Sequence, residues 1–109
     1  MLAVIIMNRI DSSVRMELRA CETLDRIWSL QLKVLRDQKF SFRCCSFHWD
    51  EWLVTDFNDR RLLYISNDGK LKTTIQYNEI PYCISRFGQN MIAVSNEKGI
   101  NFHKIKARQ

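Results

Sequence analysis

Two segments of the chain share one residue pattern 40 positions apart, and this internal repeat is the feature that most constrains the fold. Residues 41–56 match residues 81–96 when one segment is shifted by 40. The matched pairs are Phe42 with Tyr82, Phe47 with Phe87, Trp52 with Ile92, Val54 with Val94, Thr55 with Ser95 and Asp56 with Asn96. A single repeat cannot bury its own apolar faces, so we expect a row of units that pack side by side.

Each unit contains several short strand patterns. The apolar and β-branched runs are residues 52–55, 62–66 and 71–75 in the first unit and 82–87, 91–95 and 100–105 in the second. Asp68 and Gly69 lie between two of these runs, and an Asp-Gly pair in that position is a strong hairpin signal. Several short strands in each unit of ~40 residues are typical of propeller blades. We therefore predict an all-β fold built from antiparallel meanders.

The length of the chain limits the number of blades. A closed propeller needs about 4 to 8 blades of ~40 residues, whereas 109 residues hold two to three. We predict an incomplete β-propeller with blades at about 14–40, 41–80 and 81–105, preceded by a segment of unassigned structure at 1–13 and followed by a basic tail at 106–109. Open blade faces are expected to favour self-association.

Residues 14–36 carry two conflicting patterns. Val14–Ala20 and Trp28–Val34 alternate between apolar and polar residues, as half-buried strands do. Residues 17–28 also match the next unit at a shift of 35. The same stretch spaces its polar residues as an amphipathic helix does, with Ser13 as the N-cap. We favour strands, because the repeat and the alternation agree and helix propensity is readily overridden by tertiary context.

Composition and charge favour an ordinary globular protein. The chain is 46% hydrophobic and 27% charged, and it has no apolar run long enough to cross a membrane. The net charge of +5 is compatible with an acidic partner such as nucleic acid. The basic residues are scattered and interleaved with acids, however, which favours a solvated surface.

The cysteines and tryptophans are expected to pack rather than to carry chemistry. The four cysteines and two histidines have no zinc-ligand spacing, so we predict neither a metal nor a cofactor. Neighbours in a strand point to opposite faces, so Cys44 and Cys45 are predicted to be packed thiols rather than a disulfide. Free thiols, with no signal peptide and no glycosylation acceptor, indicate the cytoplasm. The tryptophans expected between blades are Trp28, Trp49 and Trp52.

Residues 52–70, Trp-Leu-Val-Thr-Asp-Phe-Asn-Asp-Arg-Arg-Leu-Leu-Tyr-Ile-Ser-Asn-Asp-Gly-Lys, resemble a blade of the NHL-type β-propeller. In those repeats a hydrophobic strand is followed by Asp, a short polar turn with Asn, Arg, a second hydrophobic strand and Asp-Gly-Lys. The resemblance is good over 41–75, partial over 76–105 and weak over 14–40. The chain departs from the pattern at 96–99, Asn-Glu-Lys-Gly, where the Arg is missing and two residues are lost.

The resemblance implies a recognition module. In tripartite-motif proteins a RING domain carries ubiquitin-ligase activity and the C-terminal propeller binds protein or RNA. This chain has none of the RING or B-box Cys/His framework, so the resemblance implies a non-catalytic chain that binds a protein partner, with RNA as the alternative. A hydrolase of propeller type needs converging carboxylates or a nucleophile with its base. The sequence shows no such arrangement among Asp50, Glu51, Asp56 and Glu97.

Turns of a propeller meander alternate between two rims, so residues 57–61 are expected to share a rim with the connections near 36–39 and 77–79. A basic and aromatic rim can hold phosphate and stack on a base. The candidate partner-binding residues are Arg36, Lys39, Phe57, Arg60 and Tyr77. A purely structural alternative pairs Asp56 with Arg61 across their hairpin and packs Phe57 or Tyr77 under a neighbouring loop.

Overall fold

The chain is all-β. A computed structural model of the protein describes residues 1–8, 10–34, 42–47 and 50–104, and these residues form ten strands and no α-helix. The strands are β1 (Leu2–Met7), β2 (Val14–Arg19), β3 (Arg26–Leu32), β4 (Cys44–Ser46), β5 (Trp52–Asp56), β6 (Arg61–Ile65), β7 (Leu71–Gln76), β8 (Cys83–Phe87), β9 (Met91–Asn96) and β10 (Gly99–Lys104). The helical alternative for residues 14–36 is therefore wrong wherever that segment is described.

The described strands form three antiparallel sheets that follow one another along the chain. The first sheet has the order β1-β2-β3, the second β4-β5-β6-β7 and the third β8-β9-β10. Each sheet is a meander, because every strand pairs with its neighbour in sequence. None of the sheets closes on itself, so the architecture is that of an incomplete propeller-like fragment. The first sheet begins at Leu2, within the segment to which the sequence assigned no structure.

The sequence located the strands of the second half closely. The six runs predicted between residues 52 and 105 are all present as β5 to β10, each within one residue of its predicted bounds. The repeat also appears in the pairing register. Cys44 pairs with Val54 in the second sheet, and Ile84 pairs with Val94 in the third. The two matched segments are therefore the same structural unit.

A hydroxyl group makes the same hydrogen bond in both units. Thr55 Oγ1 donates to the carbonyl oxygen of Arg43 at 3.3 Å, and Ser95 Oγ donates to that of Cys83 at 3.5 Å. In the second sheet the bond links the residue just before β4 to β5, and in the third sheet it links β8 to β9. The match of Thr55 with Ser95 in the sequence repeat thus has a structural cause.

The central strands of the second sheet, β5 and β6, pack against other sheets on both faces, whereas β7 is exposed. One face packs on the first sheet in a core that includes Val14, Met16, Leu18, Leu32, Trp52, Val54, Phe57, Leu63 and Ile65. The other face packs on the third sheet in a core that includes Leu53, Leu62, Tyr77, Ile84, Ile92 and Val94. Each such side chain contributes about 1.5–3 kcal/mol when it is fully buried. Burial on both faces explains why all five residues of β5 are buried without alternation.

The expected packing is present at Trp28, Trp52, Cys44 and Cys45, whereas Cys21 and Cys83 are exposed. Trp28 and Trp52 both pack in the core between the first and second sheets, whereas Trp49 lies outside the described residues. Cys44 packs against that core and Cys45 against the other, so the two thiols point to opposite faces. Burial, reinforced by the neighbouring thiol, raises the pKa of Cys45 to about 12.

Candidate functional site

The structure separates the residues of the predicted rim. Phe57 is only 3% exposed and lies in the core with its ring centroid 5.2 Å from that of Phe42, so it offers no face for stacking on a base. Arg60 is exposed in the turn between β5 and β6. Tyr77 lies in the other core, beside the third sheet. Two members of the rim lie outside the described residues: Arg36 and Lys39.

Asp56 and Arg61 form an ion pair across their hairpin. Arg61 Nε lies 2.6 Å from Asp56 Oδ2, and the Asp56 side chain is completely buried. The same guanidinium group donates from Nη2 to the carbonyl oxygen of Lys33 at 2.9 Å, just beyond β3. The pair therefore also holds the first sheet against the second. The ion pair is the contact across the hairpin that the structural alternative predicted.

A cleft of about 670 Å³ opens between the second and third sheets. The two sheets approach most closely where β4 and β5 face β8, and the cleft lies where their outer strands, β7 and β10, diverge. Its apolar walls are formed by Phe47, Leu53, Leu62, Tyr64, Ile75 and Ile92. Its polar residues include Gln76, Asn78, Glu79, Asn101, His103 and Lys104. The volume lies in the range of ligand-binding pockets, about 300–1,000 Å³.

A buried carboxylate fixes one apolar wall of the cleft. The Tyr64 hydroxyl donates to Glu51 Oε1 at 2.5 Å, and Lys72 Nζ lies 3.0 Å from Glu51 Oε2. The same ammonium group lies 4.8 Å from the centre of the Tyr64 ring. Phe47 packs edge-on against that ring, with centroids 5.1 Å apart. The aromatic wall is therefore held in one orientation before any partner arrives.

Tyr77, the residue after β7, reaches β10 across the cleft. Its hydroxyl oxygen lies 2.6 Å from His103 Nε2 and accepts a hydrogen bond from Asn101 Nδ2 at 3.1 Å. Which of the two groups donates in the bond between Tyr77 and His103 depends on the tautomer of the imidazole. Tyr77 was predicted from the sequence as a candidate residue, but its partners Asn101 and His103 were not, because their contact depends on how the two sheets meet.

A second polar cluster lies on the outer face of the first sheet, away from the cleft. Glu17 is 1% exposed and is surrounded by Arg19, Arg15 and Arg26, whose nitrogens lie 2.7, 3.0 and 3.8 Å from its carboxylate oxygens. Hydrogen bonds from Arg19 and then Arg15 lower the pKa of Glu17. Three guanidinium groups around one carboxylate leave this face with a net positive charge.

The described residues contain no group of three or more His, Cys, Asp or Glu side chains placed to hold a metal ion. The same residues include no helix that is long and apolar enough to cross a membrane. Neither a protein-family model nor a curated protein matches the sequence. Function is therefore inferred from the cleft and from the surfaces beside it.

Proposed function

We propose that the protein is a non-catalytic recognition module of propeller type, and that it binds a protein partner in the cleft between the second and third sheets. The observation that carries this proposal is the composition of the cleft, with preformed apolar walls and a few polar groups fixed beside them. Such a site can bury apolar side chains of a partner, while the polar groups orient the partner.

The polar contacts at the cleft support binding rather than catalysis. His103 is hydrogen-bonded to a tyrosine hydroxyl rather than to a serine or cysteine nucleophile. Glu79 forms an ion pair with Lys98 at 3.1 Å, and Glu51 is held by Tyr64 and Lys72. Each of these groups supports the structure around the cleft. None of them is paired with a serine, threonine or cysteine nucleophile.

We further propose that the sheets are blades of an NHL-type β-propeller. Three consecutive antiparallel meanders and the 40-residue repeat support the NHL-type resemblance as a hypothesis. In a protein of the tripartite-motif kind, ubiquitin-ligase activity would then come from a RING domain and not from these sheets. Four free cysteines support a cytoplasmic location, where thiols stay reduced.

A peptide library displayed on phage and selected on the immobilised chain tests the protein-binding proposal. Ile75, on the cleft wall, is 43% exposed, and Ile27, on the first sheet, is 46% exposed, so the two positions form a matched pair. We expect selected peptides to bind Ile75→Asp at least ~10-fold more weakly, which corresponds to about 1.4 kcal/mol. Ile27→Asp should bind them as the wild type does. Peptides insensitive to Ile75→Asp, with the fold of both variants intact by circular dichroism, would contradict the proposal.

RNA binding is a second candidate, and the arginine cluster of the first sheet favours it. Arg15, Arg19 and Arg26 lie together on one outer face, and Arg60 is exposed at a turn of the second sheet. Guanidinium groups can pair with phosphate oxygens. The burial of Phe57 counts against stacking of bases at the predicted rim.

A further inference from the structure

We propose that the partner binds as an extended peptide strand that pairs antiparallel with the outer edge of β10 and enlarges the third sheet from three strands to four. This inference rests on the proposed function, because it assigns a binding mode to the same cleft. The partner is a segment of another protein, rich in apolar and β-branched residues and able to donate backbone hydrogen bonds. The reasons lie in the repeat, the hydrogen-bonding pattern of β10 and the side chains beside it.

In the second sheet, the strand edge that corresponds to the outer edge of β10 is covered by another strand. Leu63 of β6 pairs with Val54, and Asn101 of β10 pairs with Val94, which lies 40 positions after Val54, so β6 and β10 are equivalent strands. The outer edge of β6 is covered by β7, where Thr74 pairs with Leu63. Among the strands that the structure describes, none pairs with the corresponding edge of β10. An antiparallel strand is therefore the occupant that this repeat accommodates.

The hydrogen-bonding groups of β10 point outward at alternate residues. The Ser95 carbonyl accepts a hydrogen bond from Tyr82 N at 2.9 Å, so the backbone of Ser95 points away from β10. Ile100, which pairs with Ser95, must then direct its own N–H and C=O groups away from β9, and so must Phe102 two residues on. An edge with such a row of backbone groups is a ready template for another strand.

The side chains around this edge match an apolar strand. Ile100 and Phe102 are 60% and 55% exposed on the outer face of the third sheet, and Phe87 packs edge-on against Phe102 at 5.7 Å. On the cleft side, Ile75 remains 43% exposed on the opposite wall. An added strand places alternate side chains on these two faces, so each face gains apolar contact. Backbone bonds would supply affinity, and the cleft would select the side chains.

A synthetic peptide of residues 70–77 is the probe, since it includes β7, the strand that covers the equivalent edge. Amide hydrogen exchange of the full chain is followed by NMR with and without saturating peptide. We expect exchange at Ile100 and Phe102 to slow at least ~10-fold, while Asn101, already bonded to β9, changes little. Two N-methylated peptides, each blocked at one alternate set of amides, provide the matched control. Only one of them should lose binding, because a single edge of the peptide pairs with β10.

Several results would overturn strand addition. The proposal fails if the amides of Ile100 and Phe102 are already protected from exchange in the free chain. It also fails if this peptide does not bind, or if it binds and leaves both amides unprotected. Equal binding by the two N-methylated peptides would also contradict strand addition. If library peptides still lose affinity for Ile75→Asp, the proposed function stands and only the binding mode fails. If no peptide depends on Ile75, the proposed function itself fails.

Discussion

Trp28 of the first sheet lies directly over Gly69 in the turn between β6 and β7. Its Nε1 donates to the carbonyl oxygen of Asn67 at 3.0 Å, and a Cβ atom added at Gly69 would lie 2.6 Å from Trp28 Cδ2. Gly69 also has a φ of +81°, a conformation that glycine adopts without strain. The turn and the contact between the sheets therefore both require glycine at this position.

Gly69→Ala is expected to destabilise the protein by about 2–4 kcal/mol, through backbone strain and overlap with the indole. Gly88→Ala is the matched control, since Gly88 has a φ of +68° but no atom within 4 Å of an added Cβ. That variant should lose only about 1 kcal/mol, the strain contribution alone. Urea unfolding followed by circular dichroism measures both. Equal losses in the two variants would show that the Trp28 contact contributes nothing.

Low pH is expected to destabilise the folded protein, because protonation of Glu17 removes the charge that its arginine neighbours bind. The arginine hydrogen bonds lower the pKa of Glu17 in the folded state, so its stabilising effect is complete above the unfolded pKa of about 4.3. It is lost as pH falls through the lower folded pKa. Glu17→Gln should therefore be less stable than the wild type at pH 7, and the difference should shrink at about pH 3. Urea midpoints at several pH values check this, and a constant difference would contradict it.

Breaking the buried ion pair is expected to cost much more than breaking an exposed one. Arg61→Leu leaves the carboxylate of Asp56 buried without its cation and should cost about 3 kcal/mol. Lys70→Leu removes a pair with Asp68 that spans 3.9 Å between two exposed side chains, and it should cost about 0–1 kcal/mol. Thermal unfolding of the two variants compares them. Similar melting temperatures would argue against the structural role of Asp56 with Arg61.

The four thiols are expected to react in a fixed order. Cys21 and Cys83 are exposed, so iodoacetamide should label them first at pH 8. Cys45 should react slowly, because its pKa is raised to about 12 and the thiolate is the nucleophile. Mass spectrometry of timed digests gives the order. In urea the differences should vanish, and early labelling of Cys45 in the folded chain would contradict its burial.

The dependence of binding affinity on salt concentration distinguishes a protein partner from RNA. Peptide binding in the mostly apolar cleft should change little between about 50 and 200 mM salt, whereas log affinity for RNA falls linearly with log salt. If RNA binds through arginine, Arg60→Ala should lower that slope by about one unit for each lost phosphate contact. Fluorescence anisotropy with a labelled single-stranded RNA measures it. A steep slope reduced by Arg60→Ala would favour RNA over a protein partner.

Local pattern predicted the strands between residues 52 and 105 well, because turn residues such as Asp68 and Gly69 separate runs of β-branched and apolar residues, whereas β1 was not predicted. Near Val14 the alternation of apolar and polar residues favoured strands over a helix, and the packing of Val14, Met16 and Leu18 in the core agrees with that choice. The cleft was not predicted, since it arises from the angle between two sheets. Phe57 was weighed as a stacking surface and as a packed residue, and its position in the core supports packing.

The arginine cluster on the outer face of the first sheet and the apolar residues on the outer face of the third sheet differ in the free energy needed to cover them with another layer of protein. A layer placed on the first sheet must strip water from the guanidinium groups around Glu17, which is costly unless each finds a new partner. A layer placed on the third sheet meets Ile100 and Phe102, which gain from losing contact with water. We therefore expect that a protein layer over the arginine cluster costs more free energy than a layer over Ile100 and Phe102.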